Sequence, residues 1–204
     1  MSSADRQRWD AKYSGKSVAG ELMPNGWLLK HIESLPRGRA LDLATGLGHS
    51  AIELARRGWE VTAIDISPMG LQIAAESARR WGITVQWIAA DLDVYPLPRD
   101  HFDLVTCFYY LDREELPLRV VQSLRPGGML VFETYTLDQL RVPGNHLTNP
   151  DHTLRPGELL TMFSELRVQH YRDEVLPDRA VASLLAQKVA SGSASIRDSV
   201  SGAG

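Results

Sequence analysis

The sequence predicts an α/β fold, a mostly parallel sheet covered by helices on both faces. Three observations predict it. Short apolar runs alternate with stretches of helical periodicity, the order that builds βαβ units. The first run ends in a turn of small residues, Ala44-Thr45-Gly46-Leu47-Gly48, which leads directly into a helical stretch. Aspartates stand in or just after the first three runs, at Asp42, Asp65 and Asp91. In such sheets ligands bind beyond the carboxyl ends of the strands, where the strand order reverses.

The elements follow in chain order. Near the start, Trp9 and Tyr13 are i, i+4 neighbours on one helix face. Arg39 to Ala44 reads as strand one and His49 to Arg57 as a helix. Glu60 to Ile66 is strand two. Ser67-Pro68 starts the next helix, with Ser as N-cap and Pro at the first position. Leu71, Ala74, Ala75 and Ala78 make one face of that helix, and Gly82 ends it. Ile83 to Ala90 and Phe102 to Tyr109 are strands three and four. Glu114 to Leu124 is a helix that admits Pro117 only in its first turn. Gly128 to Thr134 is strand five, Arg155 to Phe163 a short helix, and Leu166 to Asp173 and Arg179 to Val189 the final strands.

Composition bounds the function. The chain has 204 residues, 44% hydrophobic and 23% charged, which suits one globular domain. Lys and Arg number 22 against 25 Asp and Glu, a formal charge of −3, which disfavours a large nucleic-acid footprint. The single cysteine, Cys107, is compatible with a reducing compartment and reads as a buried small apolar residue. The start MSSADRQRWD has no apolar signal core, and no run approaches the ~20 apolar residues of a membrane span, so the expected location is the cytoplasm. The expected division is an N-terminal helical cap or lid over 1–37, a main domain over 38–190 and a disordered Ser/Gly-rich tail over 191–204.

The glycine turn and the aspartates together choose between cofactors. A nicotinamide site wants G-x-G-x-x-G, with a pyrophosphate on the following helix. From Ala44 this chain reads A-T-G-L-G-H-S, with no glycine three past Gly48. The acids Asp42 and Asp91 suit a zwitterionic adenosyl amino acid without phosphate, and Asp65 is placed to accept from ribose hydroxyls.

At this point the chain resembles the class I S-adenosylmethionine-dependent methyltransferases. The matching pieces are LDLATGLGHSAIELARRG, VTAIDIS, AADL, FDLV and LRPGGMLVFET, in order, over about residues 38 to 135. RWDAKY, LPRGRALDLATGLG and NPDHTLRPGELL further resemble the tellurite-resistance TehB-like group. The resemblance implies a Rossmann-like sheet of seven strands with the last antiparallel, S-adenosyl-L-methionine as cofactor and methyl transfer as activity. It implies that Asp42 orients the loop or reaches the cofactor's amino group. Ala44, Thr45, Gly46 and Gly48 would surround the methionine part, and Asp65 would hold the ribose. Ile66 would lie on the adenine, Asp91 and Leu92 at its edge, and Phe108 at the reacting end. The family usually has glycine where this chain has Ala44, a residue that disfavours positive φ. Trp9 and Tyr13 either pin the N-terminal helix to the core or form a lid in which Tyr13 closes over the cofactor.

The acceptor is expected to be a small molecule, with no nucleic acid and no membrane involved, and the chain a monomer or weak homodimer. Nitrogen methylases of nucleobases and of glutamine commonly carry Asn/Asp-Pro-Pro-aromatic after strand four, where this chain has Phe108-Tyr109-Tyr110-Leu111. Tyr135, Arg141, His146, His152 and Arg155 gather after strand five and would suit a chalcogen oxyanion or a thiol-like nucleophile. No metal site is expected, since His146 and His152 lack a third ligand. A non-catalytic S-adenosylmethionine-binding protein, or a methyltransferase acting on RNA or protein, is the alternative.

Overall fold

The structure, a computed structural model, describes residues 3–16 and 22–190, so the expected tail 191–204 lies outside the described residues. Two helices open the chain, α1 (Ser3–Tyr13) and α2 (Gly26–His31). Then follow β1 (Arg39–Leu43), α3 (His49–Arg56), β2 (Glu60–Asp65), α4 (Pro68–Arg80), β3 (Gln86–Ala89), β4 (Phe102–Phe108), α5 (Leu116–Ser123), β5 (Leu124–Tyr135), α6 (Glu158–Met162), β6 (Arg167–Val175) and β7 (Ala180–Gln187). The seven strands form one sheet in the order β3-β2-β1-β4-β5-β7-β6. The first five are parallel and β7 is antiparallel to both of its neighbours. The strand order reverses between β1 and β4, which therefore flank the switch point.

Two apolar layers sandwich the sheet. One buries Trp27, Leu28 and Ile32 from the α2 region and Ala51 and Leu54 of α3 against Ala40, Val61, Ala63, Leu104, Val131 and Leu185. The other buries Leu116 and Val120 of α5 and Leu159 of α6 against Leu41, Leu43, Val105, Cys107 and Phe132. Side chains alternate along a strand. Asp42, Asp65, Thr106, Glu133 and Ser183 thus share the α2–α3 face, each two positions from an apolar member of that layer. This face carries the buried carboxylates Asp42, Asp65 and Glu133 of the strands.

The elements end where local chemistry ends them. Ser67 caps α4, its hydroxyl accepting from the Gly70 amide at 3.1 Å with Pro68 at the first position. Strand β3 starts later than the expected Ile83, because the Ile83 amide is spent on the Ala78 carbonyl at the end of α4. Helix α5 starts later than the expected Glu114, because the Asp112 carboxylate accepts from the amides of Glu114, Glu115 and Leu116 and closes a turn there. Strand β5 starts earlier than Gly128, since Leu124 already pairs with Phe102 before a register shift. Helix α6 is shorter than expected, since Gly157 precedes it at φ 71° and the chain turns at Pro156-Gly157.

Candidate active site

The site grows from the carboxyl end of β1. Asp42 is a charge in a central strand, 2% exposed. Its oxygens accept from the hydroxyls of Thr45 and of Thr106 on β4, both at 2.5 Å. Burial pushes its carboxyl up to about 6, against the opposing effect of those two hydrogen bonds, and the nearby Asp65 charge adds to the rise. The carboxylate thus ties the turn after β1 to the neighbouring strand across the switch point.

The turn itself alternates between hands. Ala44, Gly46 and Gly48 have φ of 52°, 56° and 74°, all left-handed. Ala44 holds that conformation with a Cβ, which costs about 1–2 kcal/mol relative to a right-handed geometry. Gly48 has a second reason to be glycine. A Cβ there would lie 2.7 Å from the Ala74 Cβ and from the Trp87 ring. Bare backbone at this point lets α3 begin close against α4 and β3.

Asp65, at the end of β2, is buried and accepts from the amides of Gly46 at 2.7 Å and Ser67 at 2.9 Å. Burial raises its carboxyl, with the Asp10 charge adding to the rise. Helix α1 docks on this corner. Asp10 accepts from the Ser67 hydroxyl at 2.5 Å and from the Met69 amide at 3.2 Å, so it joins Ser67 at the N-terminus of α4. Tyr13 lies at the end of the same helix, its ring stacked on Trp9 at 5.7 Å. A Cβ on Gly46 would meet the Tyr13 hydroxyl at 2.7 Å, and one on Gly70 would meet its ring at 2.9 Å. The Tyr13 phenol is raised by burial and by the Asp65 charge.

The end of β3 is drawn to this corner by the Ala90 amide, which donates to the Asp65 carbonyl at 3.0 Å. Asp91 follows and accepts from the Asp93 amide at 2.9 Å. Leu92 is fully buried in the α5–α6 layer, and Arg119 of α5 donates to the carbonyls of Leu92 and Tyr95. Ile66 is buried and Phe108 half-buried at the end of β4.

A second cluster lies one strand further on, and sequence reasoning missed most of it. Glu133 of β5 is 1% exposed. One of its oxygens accepts from Asn25 Nδ2 at 2.8 Å and the Tyr109 hydroxyl at 3.0 Å. The other accepts from the Ser183 hydroxyl at 2.6 Å and Arg172 at 3.1 Å. Asn25 also caps α2 through its side chain, accepting from Trp27 and Leu28. The basic residues expected beside Tyr135 do not join this cluster. Arg141 pairs with Asp138 on the surface, and His146, His152 and Arg155 are exposed. Among the described residues no group of three or more His, Cys, Asp or Glu is placed to hold a metal ion. Cys107 is buried, and burial pushes its thiol well up, which leaves it unreactive.

The chain is similar to known methyltransferases. Residues 40–128 match the methyltransferase domain family. The ubiquinone biosynthesis O-methyltransferase of Vibrio cholerae is 28% identical over 165 residues, covering 70% of this chain and 66% of the relative. The demethylmenaquinone methyltransferase of Thermus thermophilus is 38% identical over 106 residues, covering 49% of this chain and 48% of the relative. The chain thus spans just under two thirds of the first and about half of the second. Among solved structures, TehB from Haemophilus influenzae superposes with a TM-score of 0.67 at 19% identity, over 80% of this chain and 62% of that one.

The sheet order and the superposition give this chain the fold seen in S-adenosylmethionine-dependent methyltransferases, and somewhat under half of its length matches the methyltransferase domain family. The matched stretch runs from β1 into β5 and holds the glycine turn with Asp42, Asp65 and Asp91.

Proposed function

We propose that this chain transfers a methyl group from S-adenosyl-L-methionine to a small-molecule acceptor. The observation that carries the reading is the corner formed by the left-handed turn 44–48, Asp65 and Tyr13. Its donor set fits the cofactor's chemistry. Asp65 offers acceptor oxygens at the end of β2 for a sugar diol, and the bare backbone at Gly46 allows close approach.

When bound, the cofactor supplies a methyl group activated on a sulfonium sulfur. The chain's residues supply position. Asp42, buried within the sheet and bridging Thr45 to Thr106, acts on the turn. Asp65 holds the ribose, Ala44 to Gly46 surround the methionine part, Ile66 lies on the adenine, and Asp91 with the Leu92 backbone meets its edge. Arg119 keeps that last loop in place through two carbonyls. Phe108 lines the reacting end. Tyr13 covers Gly46 and excludes water, and alignment with water exclusion accounts for most of the rate in such a displacement. The small-molecule choice draws on the curated relatives, whose names are of quinone methylation, and on the chain's net charge of −3.

The test is calorimetric titration with S-adenosylhomocysteine and with NAD, followed by transfer of labelled methyl to a panel of small molecules and to RNA. Binding of the homocysteine product with label in small molecules is expected, and Asp65→Ala should weaken that binding by tenfold or more. Binding of NAD alone, or label confined to RNA, overturns the reading.

A further inference from the structure

We propose that the acceptor is an aromatic alcohol, seated against Tyr109 and Tyr135 with its oxygen held by Arg179. This rests on the methyltransferase reading above.

The place follows from the sheet. Leu43 pairs with Cys107, so the turn that begins at Ala44 stands level with Phe108 and Tyr109 at the end of β4. Phe108 in turn pairs with Glu133, and the Tyr109 amide donates to the Glu133 carbonyl at 2.8 Å. The ends of β4 and β5 are therefore the protein surface next to the turn, on the side away from Asp65.

Two aromatic rings stand there. Tyr109 and Tyr135 stack with centroids 4.8 Å apart and planes 29° from parallel. Tyr109 is 41% exposed, yet its backbone is held at φ 58°, a strained conformation for a residue with a Cβ. Its hydroxyl is anchored on Glu133, and Glu133 is itself fixed by Asn25, Ser183 and Arg172 from three other segments. Strain held by a buried network at a solvent-facing ring is the mark of a surface kept in position for a ligand. A flat conjugated ring is the ligand that such a surface takes best.

The cation comes from the antiparallel strand. Tyr135 pairs with Val181, and the Thr136 amide donates to the Ala180 carbonyl at 3.0 Å, which sets Arg179 beside the end of β5. Its Nη1 meets Asp178 at 2.7 Å, while its Nε is buried with no partner, so the guanidinium is incompletely paired. Thr136 Oγ1, next to Tyr135, is likewise buried without a partner. The charge of Arg179 opposes the rise that burial causes in the phenols of both Tyr109 and Tyr135. It would act on a bound phenol in the same way and favour the phenolate.

That charge meets the chemical need. An aromatic alcohol becomes a good nucleophile when it loses its proton, and an aliphatic alcohol holds its proton far too tightly for one cation to remove it. Glu133 cannot serve as the base, since four donors already occupy its oxygens. In the step, the phenolate oxygen forms a bond to the methyl carbon as the carbon–sulfur bond breaks. The products are an aryl methyl ether and the neutral thioether, and the phenol's proton has gone to solvent. The charged groups facing the platform are Glu133, Asp178 and Arg179, with Arg172 engaged on Glu133.

The experiment uses the full chain, methyl-labelled S-adenosylmethionine and four acceptor classes: hydroxybenzoates and catechols, cyclohexanols of matched size, alkyl thiols, and selenite or tellurite. Label in the aromatic alcohols is expected. Arg179→Gln should lower kcat/KM for them at least tenfold at pH 7, recover with rising pH, and move the pH profile about one unit upward, while Arg179→Lys keeps most of the activity. Tyr135→Leu should raise KM several-fold and leave kcat nearly unchanged. Both variants should bind S-adenosylhomocysteine as the wild type does. Label in thiols, oxyanions or cyclohexanols with none in aromatic alcohols, or an unshifted profile in Arg179→Gln, overturns the inference and leaves the methyltransferase reading standing. Failure of the wild type to bind S-adenosylhomocysteine takes both down.

Discussion

Asp42→Asn separates the carboxylate's structural work from any part in cofactor contact. The carboxyl rises from its ordinary 3.8 to about 6, chiefly through burial. Two units correspond to about 3 kcal/mol between the protonation states. The folded chain prefers the protonated form. The stability tied to this group is therefore fully present below pH ~4 and is lost as the pH rises through about 6. Asparagine keeps the shape and cannot ionise. Integrated between pH 4.5 and 7.5, the wild type should lose about 2 kcal/mol relative to the variant. Urea unfolding of both proteins across that range reads this as a difference in midpoints that moves by roughly 1 M. A gap that stays constant with pH, or moves the other way, refutes the argument that burial outweighs the two threonine hydroxyls. Affinity for S-adenosylhomocysteine should change by less than about threefold, because Asp42 acts on the turn; a loss beyond tenfold would put the side chain on the cofactor.

Two further outcomes follow from the same corner. Gly48→Ala combines a left-handed backbone with contacts of 2.7 Å to Ala74 and Trp87, and should destabilise by about 3 kcal/mol, a fall in melting temperature of roughly 10 °C. Tyr13→Ala should weaken S-adenosylhomocysteine binding about tenfold while the free protein melts within a few degrees of the wild type, since Tyr13 is the one residue α1 buries; a large fall in melting temperature with unaltered affinity would make α1 a structural prop and not a lid.

Much of this was legible before the structure. The parallel strands β1, β2, β4 and β5 follow from apolar runs and their order, because a parallel sheet buried on both faces needs continuous hydrophobic strands, whereas the edge strand β6 is largely polar and exposed. The glycine turn and the three aspartates share one edge because each stands at or within two residues of the carboxyl end of a parallel strand. Boundaries were less legible, since they turn on single hydrogen bonds, such as the Ile83 amide spent on α4 or the Asp112 carboxylate capping α5. The Glu133 cluster was the least legible part. Its other members stand 24 to 108 positions from Glu133 and meet it only through strand register and the placement of α2. One signal was present, a carboxylate inside the apolar run MLVFET, since a charge on a central strand must find partners. Arg179 carried no comparable signal, because its position depends on β7 pairing antiparallel to β5.

Among the described residues, the non-glycine positions with positive φ are Ala44, Asp100 and Tyr109. Two of the three stand one residue past the ends of β1 and β4, the strands on either side of the switch point. There the chain must leave the sheet in opposite directions, and a crevice opens between the departing segments. At Ala44 the strain is held by Asp42 bridging Thr45 to Thr106; at Tyr109 it is held by Glu133. In each case a buried carboxylate on the α2–α3 face pulls a strained strand end into place. Burying each carboxylate and straining each backbone are both unfavourable alone, and each is tolerated because the other fixes it. The two devices fix the turn and the aromatic platform at the ends of adjacent strands, the placement that the proposed in-line transfer between two bound molecules needs.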